Sequence, residues 1–328
     1  MAELNILEAI RGAMDEEMER DERVMVMGED VGRKGGVFGA TEGLWAKYGD
    51  KRVLDTPLTE AMIAGAAMGA AIYGLRPIAE MQFADFVYPA FNQIVSEISR
   101  IHYRSNGTFS APMVIRMPYG GGVHGALYHS QSNEAYFTST VGLKIVAPGT
   151  PADAKGLLKA SIRDPDPVMF FEHKKTYRLF KAEVPDGDTV VPIGRASVAR
   201  EGRHLSIFCY GYMRTVALEA AETLAREDGV EAEVVDLRSL RPLDLDTILT
   251  SVAKTGKALV VHEANRFGGF GAEIAAEISE KAFEHLDGPV TRLAGPDVPG
   301  VPYHHTLEDW FMINPSRVVD AARALAAY

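Results

Sequence analysis

Short apolar runs alternate with longer segments of helical periodicity along the whole chain. The apolar runs occupy residues 24–27, 77–81, 113–117, 143–147, 168–172, 205–210, 232–237, 258–262 and 290–294. Parallel strands need helical crossover connections, so this alternation predicts an α/β fold with a doubly wound, mainly parallel sheet. Between the second and third runs, apolar residues at helical spacing predict one long helix over residues 86–104.

One stretch interrupts this alternation. Between residues 181 and 192 the chain is rich in Pro, Gly and Asp and shows no periodicity, which is typical of a linker. We therefore predict a larger domain over residues 1–185, a linker over residues 186–192 and a smaller α/β domain over residues 193–328. A chain of 328 residues is consistent with two domains of ordinary size.

A helix rich in Ala and Gly is predicted over residues 61–74, directly after the sequence Asp-Thr-Pro-Leu-Thr-Glu. Thr59 is the expected N-cap, and Glu60 falls in the first turn, where the positive end of the helix dipole favours a carboxylate. Gly65 and Gly69 lie four residues apart on one face, so another helix can approach closely there. The spacing alone leaves open whether Glu60 is functional or an ordinary first-turn acid.

Composition excludes several classes of partner. The net charge is −11, and basic residues cluster only in pairs, which argues against a nucleic-acid surface. No apolar run approaches the ~20 residues that span a bilayer, so we expect no membrane partner. The lone cysteine, Cys209, lies in an apolar run and cannot form a disulfide within the chain. Together with an acidic N-terminus unlike a signal sequence, this predicts a cytoplasmic protein.

A glycine-rich loop follows the third apolar run. Residues 120–125 match the dinucleotide fingerprint G-x-G-x-x-G, but residues 127–133 lack the periodic helix that the fingerprint must open. A structural loop, or one bordering another ligand, is the favoured interpretation. His129 stands in this loop among hydrogen-bonding residues, and it is either a functional imidazole or a solvated one. The nine histidines form no metal-ligand spacing, and the nearby serines lack a nucleophile elbow.

The stretches singled out so far belong to a longer ordered set. That set comprises residues 29–32, 35–38, 41–44, 55–60, 74–77, 82–86, 120–132 and 235–238. In this order the motifs resemble the beta subunit of the thiamine-diphosphate-dependent 2-oxo acid dehydrogenases, over the whole chain. The resemblance implies a transketolase-like pyrimidine-binding domain followed by a transketolase C-terminal domain.

The resemblance also implies partners. In this family an alpha subunit holds the diphosphate and magnesium through a Gly-Asp-Gly…Asn motif, within an alpha2beta2 heterotetramer. The nearest sequence here, Asp186-Gly187-Asp188, lies in the predicted linker, so this chain is expected to supply half of an active site. The resemblance further implies that the acyl product passes to lipoyl on a dihydrolipoyl acyltransferase, so the lipoyl domain and the core of that protein are expected partners.

Individual residues match functional positions of the family. By resemblance, Glu60 binds the aminopyrimidine ring nitrogen of thiamine diphosphate and supports its activation, and His129 donates a proton to, or orients, the reacting group during acyl transfer. The positions that match the aminopyrimidine pocket are Leu58, Gln82, Phe86 and Tyr103. The positions that match a structural monovalent-cation site, with potassium as the implied ion, are Ala111, Met113, Val114, Ser161, Asp164 and Asp166.

Substrate choice is less constrained. Residues 125–132 and 82–86 look more like those of branched-chain enzymes than of pyruvate enzymes, although Phe86 stands where branched-chain members often have Tyr. A branched-chain 2-oxo acid is therefore the expected substrate, with pyruvate and then acetoin as alternatives. Two hypotheses from other classes remain open, a non-catalytic scaffold subunit and a nicotinamide-nucleotide site in the loop at residues 120–125.

Overall fold

A computed structural model describes residues 2–328 of the chain, which form two compact units. The first unit contains residues 2–119 and 136–193, and the second contains residues 120–135 and 194–328. Within residues 2–328, no helix combines the length and the apolar character needed to cross a membrane.

The first unit begins with a short strand and a capped helix. The Asn5 side chain accepts a hydrogen bond from the Glu8 N–H, and the Glu8 side chain accepts one from the Asn5 N–H, each at 2.8 Å, so a capping box starts the helix. The elements of this unit are β1 (Ala2–Leu4), α1 (Ile6–Arg20), β2 (Val24–Gly28), α2 (Leu44–Tyr48), β3 (Val53–Asp55), α3 (Glu60–Ile72), β4 (Arg76–Glu80), α4 (Ile101–Arg104), β5 (Val114–Tyr119), α5 (Ala135–Thr138), β6 (Lys144–Val146), α6 (Pro151–Arg163), β7 (Val168–His173) and β8 (Ala182–Val184).

The central sheet of the first unit is parallel. Its strands run in the order β6-β7-β5-β4-β2-β3, and all five pairings are parallel. Strands β5 and β7 are buried along their full length, as expected when helices cover both faces. Helices α1 and α6 pack on one face through Leu7, Ile10, Met14, Leu157 and Leu158. The predicted parallel α/β class is confirmed.

The long helix predicted over residues 86–104 is wrong. The segment contains 3-10 turns at Ala84–Phe86 and Tyr88–Ala90, a π-helical stretch at Gln93–Ile98, and then α4. The Ser99 side chain donates a hydrogen bond to the Val95 carbonyl at 2.9 Å, and the backbone at Gly142 passes directly against the Ser99 carbonyl. The change from the π-helical stretch to α4 lies next to this contact, and inserted groups and π-bulges are common causes of helix irregularity.

The second unit repeats the class of the first. Its elements are β9 (Ser197–Arg200), β10 (Leu205–Cys209), α7 (Met213–Asp228), β11 (Ala232–Asp236), β12 (Ser239–Arg241), α8 (Leu245–Thr255), β13 (Ala258–Asn265), α9 (Gly271–Lys281), β14 (Thr291–Gly295), α10 (His305–Phe311) and α11 (Pro315–Ala326). The sheet order is β14-β13-β10-β11-β9, with β9 antiparallel to β11 and the other pairs parallel.

Several short elements carry no clear sequence signal. Strands β1, β3, β8 and β12 have three residues each, too few to show a period of two. Their formation depends on neighbours: β1 pairs with β8, and β3 pairs with β2. A local sequence pattern cannot predict such strands, because their pairing partners are determined by the tertiary structure.

Candidate active site

The carboxyl ends of three adjacent strands bring acidic residues of the first unit together. In the register of the sheet, Gly28 on β2 lies opposite Asp55 on β3 and Glu80 on β4. A side chain at Gly28 would lie within 2.8 Å of the Glu80 carbonyl oxygen, so glycine is needed for this approach. The residues that follow each strand therefore meet at one edge of the sheet, where α/β proteins place ligands.

Glu60 begins helix α3 immediately beyond this edge and is only 7% exposed. Thr59 occupies the N-cap position as predicted, although its side chain makes no capping hydrogen bond. The helix start still sets the Glu60 carboxylate at the positive end of the helix dipole. Its burial distinguishes Glu60 from the exposed first-turn acids of most helices.

Glu29 is a second acid at this edge, and it belongs to none of the site positions identified from the sequence. Burial raises its pKa, and the negative charges of Glu60, Asp30 and Glu80 raise it further. The charges must therefore lie close enough to repel one another. Along the sequence Glu29 and Glu60 are 31 positions apart, and only the parallel pairing of β2 with β3 brings the two segments together.

A buried ion cluster lies behind these acids. Arg116 is fully buried and donates two hydrogen bonds to Glu172, at 2.7 and 2.6 Å, and a further one to Glu80. Tyr177 donates its hydroxyl to Glu172 at 2.6 Å. The paired carboxylates raise the pKa of Arg116, although burial opposes that shift. This cluster makes β4, β5 and β7 a rigid support for the acidic edge.

Polar and aromatic side chains border the same edge. The Gln82 amide lies 3.5 Å from Asp30 Oδ2, so Gln82 follows β4 toward the residues after β2. Phe86 is half-buried, and its ring centroid lies 5.4 Å from that of Phe83 in an edge-to-face arrangement. Phe83 in turn lies 5.4 Å from Phe38. Gln82 and Phe86 therefore lie beside residues that follow β2 and β4.

Leu58 and Tyr103 are placed differently. Their side chains are 79% and 93% exposed, respectively. Exposed apolar residues also follow one face of α3, where Met62, Gly65 and Gly69 are open to solvent. Apolar side chains of this size are ordinarily covered when functional, so a pocket role for Leu58 and Tyr103 requires another molecule against this surface.

The residues predicted for a monovalent cation flank the start of β5 and the end of α6. The side chains there already have partners. Lys144 Nζ lies 2.6 Å and 2.8 Å from the two Asp164 carboxylate oxygens, and His102 Nδ1 lies 2.8 Å from Asp166. An ion at this place would therefore be held mainly by main-chain carbonyl oxygens, which retain a second lone pair.

Asp188, in the Asp-Gly-Asp sequence of the predicted linker, is held by ion pairs. Its carboxylate lies 2.6 Å from Lys159 and 2.9 Å from Arg163. The hydrogen bonds from Arg163 and, to a smaller extent, from Lys159 hold the pKa of Asp188 well below its usual range. It therefore serves a charge network on α6. Among residues 2–328, no group of three or more His, Cys, Asp or Glu side chains is arranged around a possible metal position.

His129 belongs to the second unit, on the loop formed by residues 120–132. Two buried glutamates bind the backbone of this loop. Glu263 accepts hydrogen bonds from the Gly121 N–H at 2.7 Å and from the Ser132 hydroxyl at 3.0 Å. Glu308 accepts from the Gly122 N–H at 2.9 Å and from the His124 N–H at 3.2 Å.

These contacts bear on the nucleotide hypothesis. A dinucleotide fingerprint works by directing free backbone N–H groups at a pyrophosphate. In this loop the N–H groups of Gly121, Gly122 and His124 already bind carboxylates. A phosphate would have to displace groups of its own charge, so these contacts argue against a dinucleotide site in this loop.

Three further buried side chains, Glu134, Tyr210 and His262, lie within the second unit. Tyr210 donates its hydroxyl to Glu134 at 2.6 Å, and its ring stacks on His262, with centroids 6.5 Å apart. Burial raises the pKa of Glu134 to about 7. Burial, together with the charge of Arg292, lowers the pKa of His262 to about 4. Sequence reasoning missed Glu134, because nothing local indicates that an acid following the glycine loop is enclosed.

Comparisons with known proteins agree with this architecture. Residues 2–179 match the family model described as the transketolase pyrimidine-binding domain, and residues 194–318 match the transketolase C-terminal domain. A solved structure described as a split-gene transketolase, inactive beta4 tetramer, superposes with a TM-score of 0.80 at 24% identity, with 99% of each chain covered. That similarity shows the shared fold.

Curated relatives are closer. The 2-oxoisovalerate dehydrogenase subunit beta of Bacillus subtilis is 58% identical over 328 residues, with 100% of both chains covered. The protein of the same name from Pseudomonas aeruginosa is 47% identical, with 96% of this chain and 93% of the relative covered. The pyruvate dehydrogenase E1 component subunit beta of Bacillus subtilis is 46% identical, with 100% of both chains covered. The chain therefore belongs to the family of 2-oxo acid dehydrogenase beta subunits, composed of a transketolase pyrimidine-binding domain and a transketolase C-terminal domain.

Proposed function

We propose that this chain is the beta subunit of the decarboxylating component of a 2-oxo acid dehydrogenase complex that acts on a branched-chain 2-oxo acid. The observation that carries the proposal is the full-length identity of 58% to a 2-oxoisovalerate dehydrogenase subunit beta. Pyruvate is the second candidate, because a pyruvate dehydrogenase subunit is 46% identical over the same length. Acetoin is a third candidate, from the motifs alone.

The acidic edge of the first unit is suited to the aminopyrimidine end of thiamine diphosphate. Glu60, Glu29 and Glu80 place three buried carboxylates near one another, and Arg116 is bound to Glu80 and Glu172. A ring that presents hydrogen-bond donors and gains positive charge would relieve the repulsion at this edge. The side chains at this edge thus fit the aminopyrimidine group, whereas the N–H groups of the loop at residues 120–125 that could receive a diphosphate already bind carboxylates.

In this proposal each residue has a separate task. When bound, thiamine diphosphate supplies the carbon nucleophile for decarboxylation. Glu60 binds the aminopyrimidine ring nitrogen and supports proton transfer at that ring, a role that needs a held carboxylate. Phe86 offers a ring face, Gln82 a polar contact, and Leu58 and Tyr103 apolar cover. His129 holds or donates a proton during acyl transfer.

Partners complete the proposed assembly. An alpha subunit would hold the diphosphate and magnesium and cover the exposed surface of α3, in an alpha2beta2 heterotetramer. The acyl group would pass to lipoyl on a dihydrolipoyl acyltransferase. We place the complex in the cytoplasm, in keeping with one cysteine that is fully buried. A potassium ion near Ala111, Met113, Val114, Ser161, Asp164 and Asp166 would be structural.

The test is reconstitution. The chain is purified alone and together with its alpha subunit, thiamine diphosphate binding is measured by calorimetry, and decarboxylation is measured with 2-oxoisovalerate and pyruvate. We expect tight binding and turnover only in the complex, with kcat/KM at least tenfold higher for the branched acid. Full activity of the lone chain would contradict the half-site proposal, and a preference for pyruvate would select the second candidate.

The scaffold hypothesis is tested in the same complex. A scaffold subunit would tolerate Glu60→Gln and His129→Ala together without loss of turnover. We expect the double variant to assemble normally and to be inactive.

A further inference from the structure

The loop that carries His129 is closed on itself and fastened at both ends. The Gly120 N–H donates to the Gln131 carbonyl at 3.0 Å, and the Gln131 amide donates to the Leu127 carbonyl at 2.7 Å. Glu263 binds the Gly121 N–H and the Ser132 hydroxyl through one oxygen. One carboxylate therefore joins the outgoing and returning arms of the loop, with His129 on the returning arm.

The first turn of the loop is held by a second carboxylate. Glu308, on α10, is 1% exposed, and its Oε1 accepts from the N–H groups of Gly122 and His124. Its Oε2 lies 2.5 Å from His124 Nδ1. A buried charge is costly unless it is compensated, so these donors and Glu308 stabilise one another strongly.

The backbone of this turn is in an unfavourable conformation. His124 and Ala126 both have φ of 56°, in the left-handed region that non-glycine residues rarely adopt. Such residues destabilise the backbone and persist only where the surroundings enforce them. Next to them, a side chain at Gly125 would lie 2.7 Å from the His129 carbonyl oxygen. The turn therefore packs directly on the backbone of His129.

We propose that Glu308 is a positioning residue for His129. By holding Gly122 and His124 in the strained turn, it keeps the packed backbone of residues 125–129 in one conformation and the imidazole in one place. Glu263 fastens the ends of the loop, and Glu308 determines its inner shape. This inference rests on the proposed function, because it assigns Glu308 to the acyl-transfer step in which His129 takes part.

The first measurement does not depend on activity. Hydrogen–deuterium exchange is followed in the assembled complex for Glu308→Ala, Glu308→Gln and Asp309→Ala, the last being an exposed acid next on the same helix. We expect the peptide containing residues 121–124 to exchange at least tenfold faster in Glu308→Ala and at the wild-type rate in Asp309→Ala. Glu308→Gln retains an acceptor oxygen and should stay within threefold of wild type. Unchanged exchange in Glu308→Ala overturns the proposal.

The second measurement tests whether Glu308 acts through His129. Acyl transfer to a lipoyl domain is measured for Glu308→Ala, His129→Ala and the double variant. Small misplacements of catalytic groups cost about 100-fold in rate, and we expect a loss of that size in kcat for Glu308→Ala. In the His129→Ala background the same change should cost threefold or less.

Two outcomes of this double-mutant cycle would contradict the proposal. An equal loss in both backgrounds means that Glu308 acts independently of His129. A wild-type rate in Glu308→Ala means that the contacts of Glu308 with the loop have no kinetic role. If Glu308→Ala does not assemble, Glu308→Gln with at least tenfold slower transfer in a normally folded complex would overturn the acceptor argument. A wild-type complex without acyl transfer refutes the proposed function instead, while the exchange data still report whether Glu308 holds the backbone of residues 121–124.

Discussion

The hydroxyl of Tyr210 donates a hydrogen bond to Glu134 at 2.6 Å, inside the second unit where Glu134 is 1% exposed. Among the described residues, the other carboxyl oxygen of Glu134 has no hydrogen-bond partner. Burial accordingly raises the pKa of Glu134 to about 7 from an ordinary value of 4.5. The folded protein therefore favours the protonated acid across the interval between these values.

This shift predicts a pH-dependent stability. Because the folded state binds the Glu134 proton more tightly than the unfolded state, stability is highest at low pH within the interval and is lost as pH rises from about 4.5 to about 7. The loss amounts to about 3 kcal/mol. Glu134→Gln keeps an acceptor for Tyr210 and cannot ionise. We expect the stability of wild type relative to Glu134→Gln, measured by urea unfolding, to fall over this range, and a constant difference would contradict the assignment.

For His262 we expect the opposite dependence of stability on pH. Its pKa is lowered to about 4 by burial, so the folded state resists protonation and stability falls as pH decreases from about 6.5 toward 4. His262→Gln should remove this acid sensitivity. The variant His285→Gln, at a half-exposed position, serves as the control in the same unfolding series.

Glu60→Gln should separate assembly from chemistry. The amide preserves the shape of the side chain but cannot serve as a charged partner, so we expect normal assembly with its partner and a rate lower by about 10²–10⁴. Glu22→Gln, at an exposed position of the same unit, should leave the rate unchanged. Near-normal turnover of Glu60→Gln would make Glu60 an ordinary first-turn acid.

Arg116→Met should destabilise the first unit. The substitution leaves Glu80 and Glu172 buried without their cation, and removing one partner of such a cluster costs about 3–5 kcal/mol. Arg104, whose ion pair with Glu97 is exposed, provides the control, and Arg104→Met should cost less than about 1 kcal/mol. Equal effects in chemical denaturation would show that the buried cluster carries no special weight.

Gly69→Leu should reveal what covers α3. A side chain there meets no atom within 4 Å in the lone chain, and Leu favours helix over Gly by nearly 1 kcal/mol. We therefore expect the isolated chain to be at least as stable as wild type, while association with the proposed alpha subunit becomes at least tenfold weaker in sedimentation experiments. Gly12→Leu on α1, also with nothing within 4 Å, is the matched control. Unimpaired association would place the partner elsewhere.

Much of the architecture was predictable, because strands that are buried on both faces of a sheet appear in the sequence as continuous apolar runs. The continuous apolar runs of β5 and β7 follow from helices covering both faces of a parallel sheet. The failures have tertiary causes. The segment predicted as one helix over residues 86–104 changes from a π-helical stretch to α4 next to the place where Gly142 packs against Ser99.

The site shows the same division. The sequence by itself determined the parallel α/β class, the position of Glu60 at the start of a helix and a loop carrying His129, because these depend on spacing along the chain. Only the tertiary structure decided that Glu29 lies within the field of Glu60. It also decided that Glu263 and Glu308 bind a loop more than 100 residues earlier in the sequence. Strand register and burial bring these groups together, and neither can be read from the local order of residues.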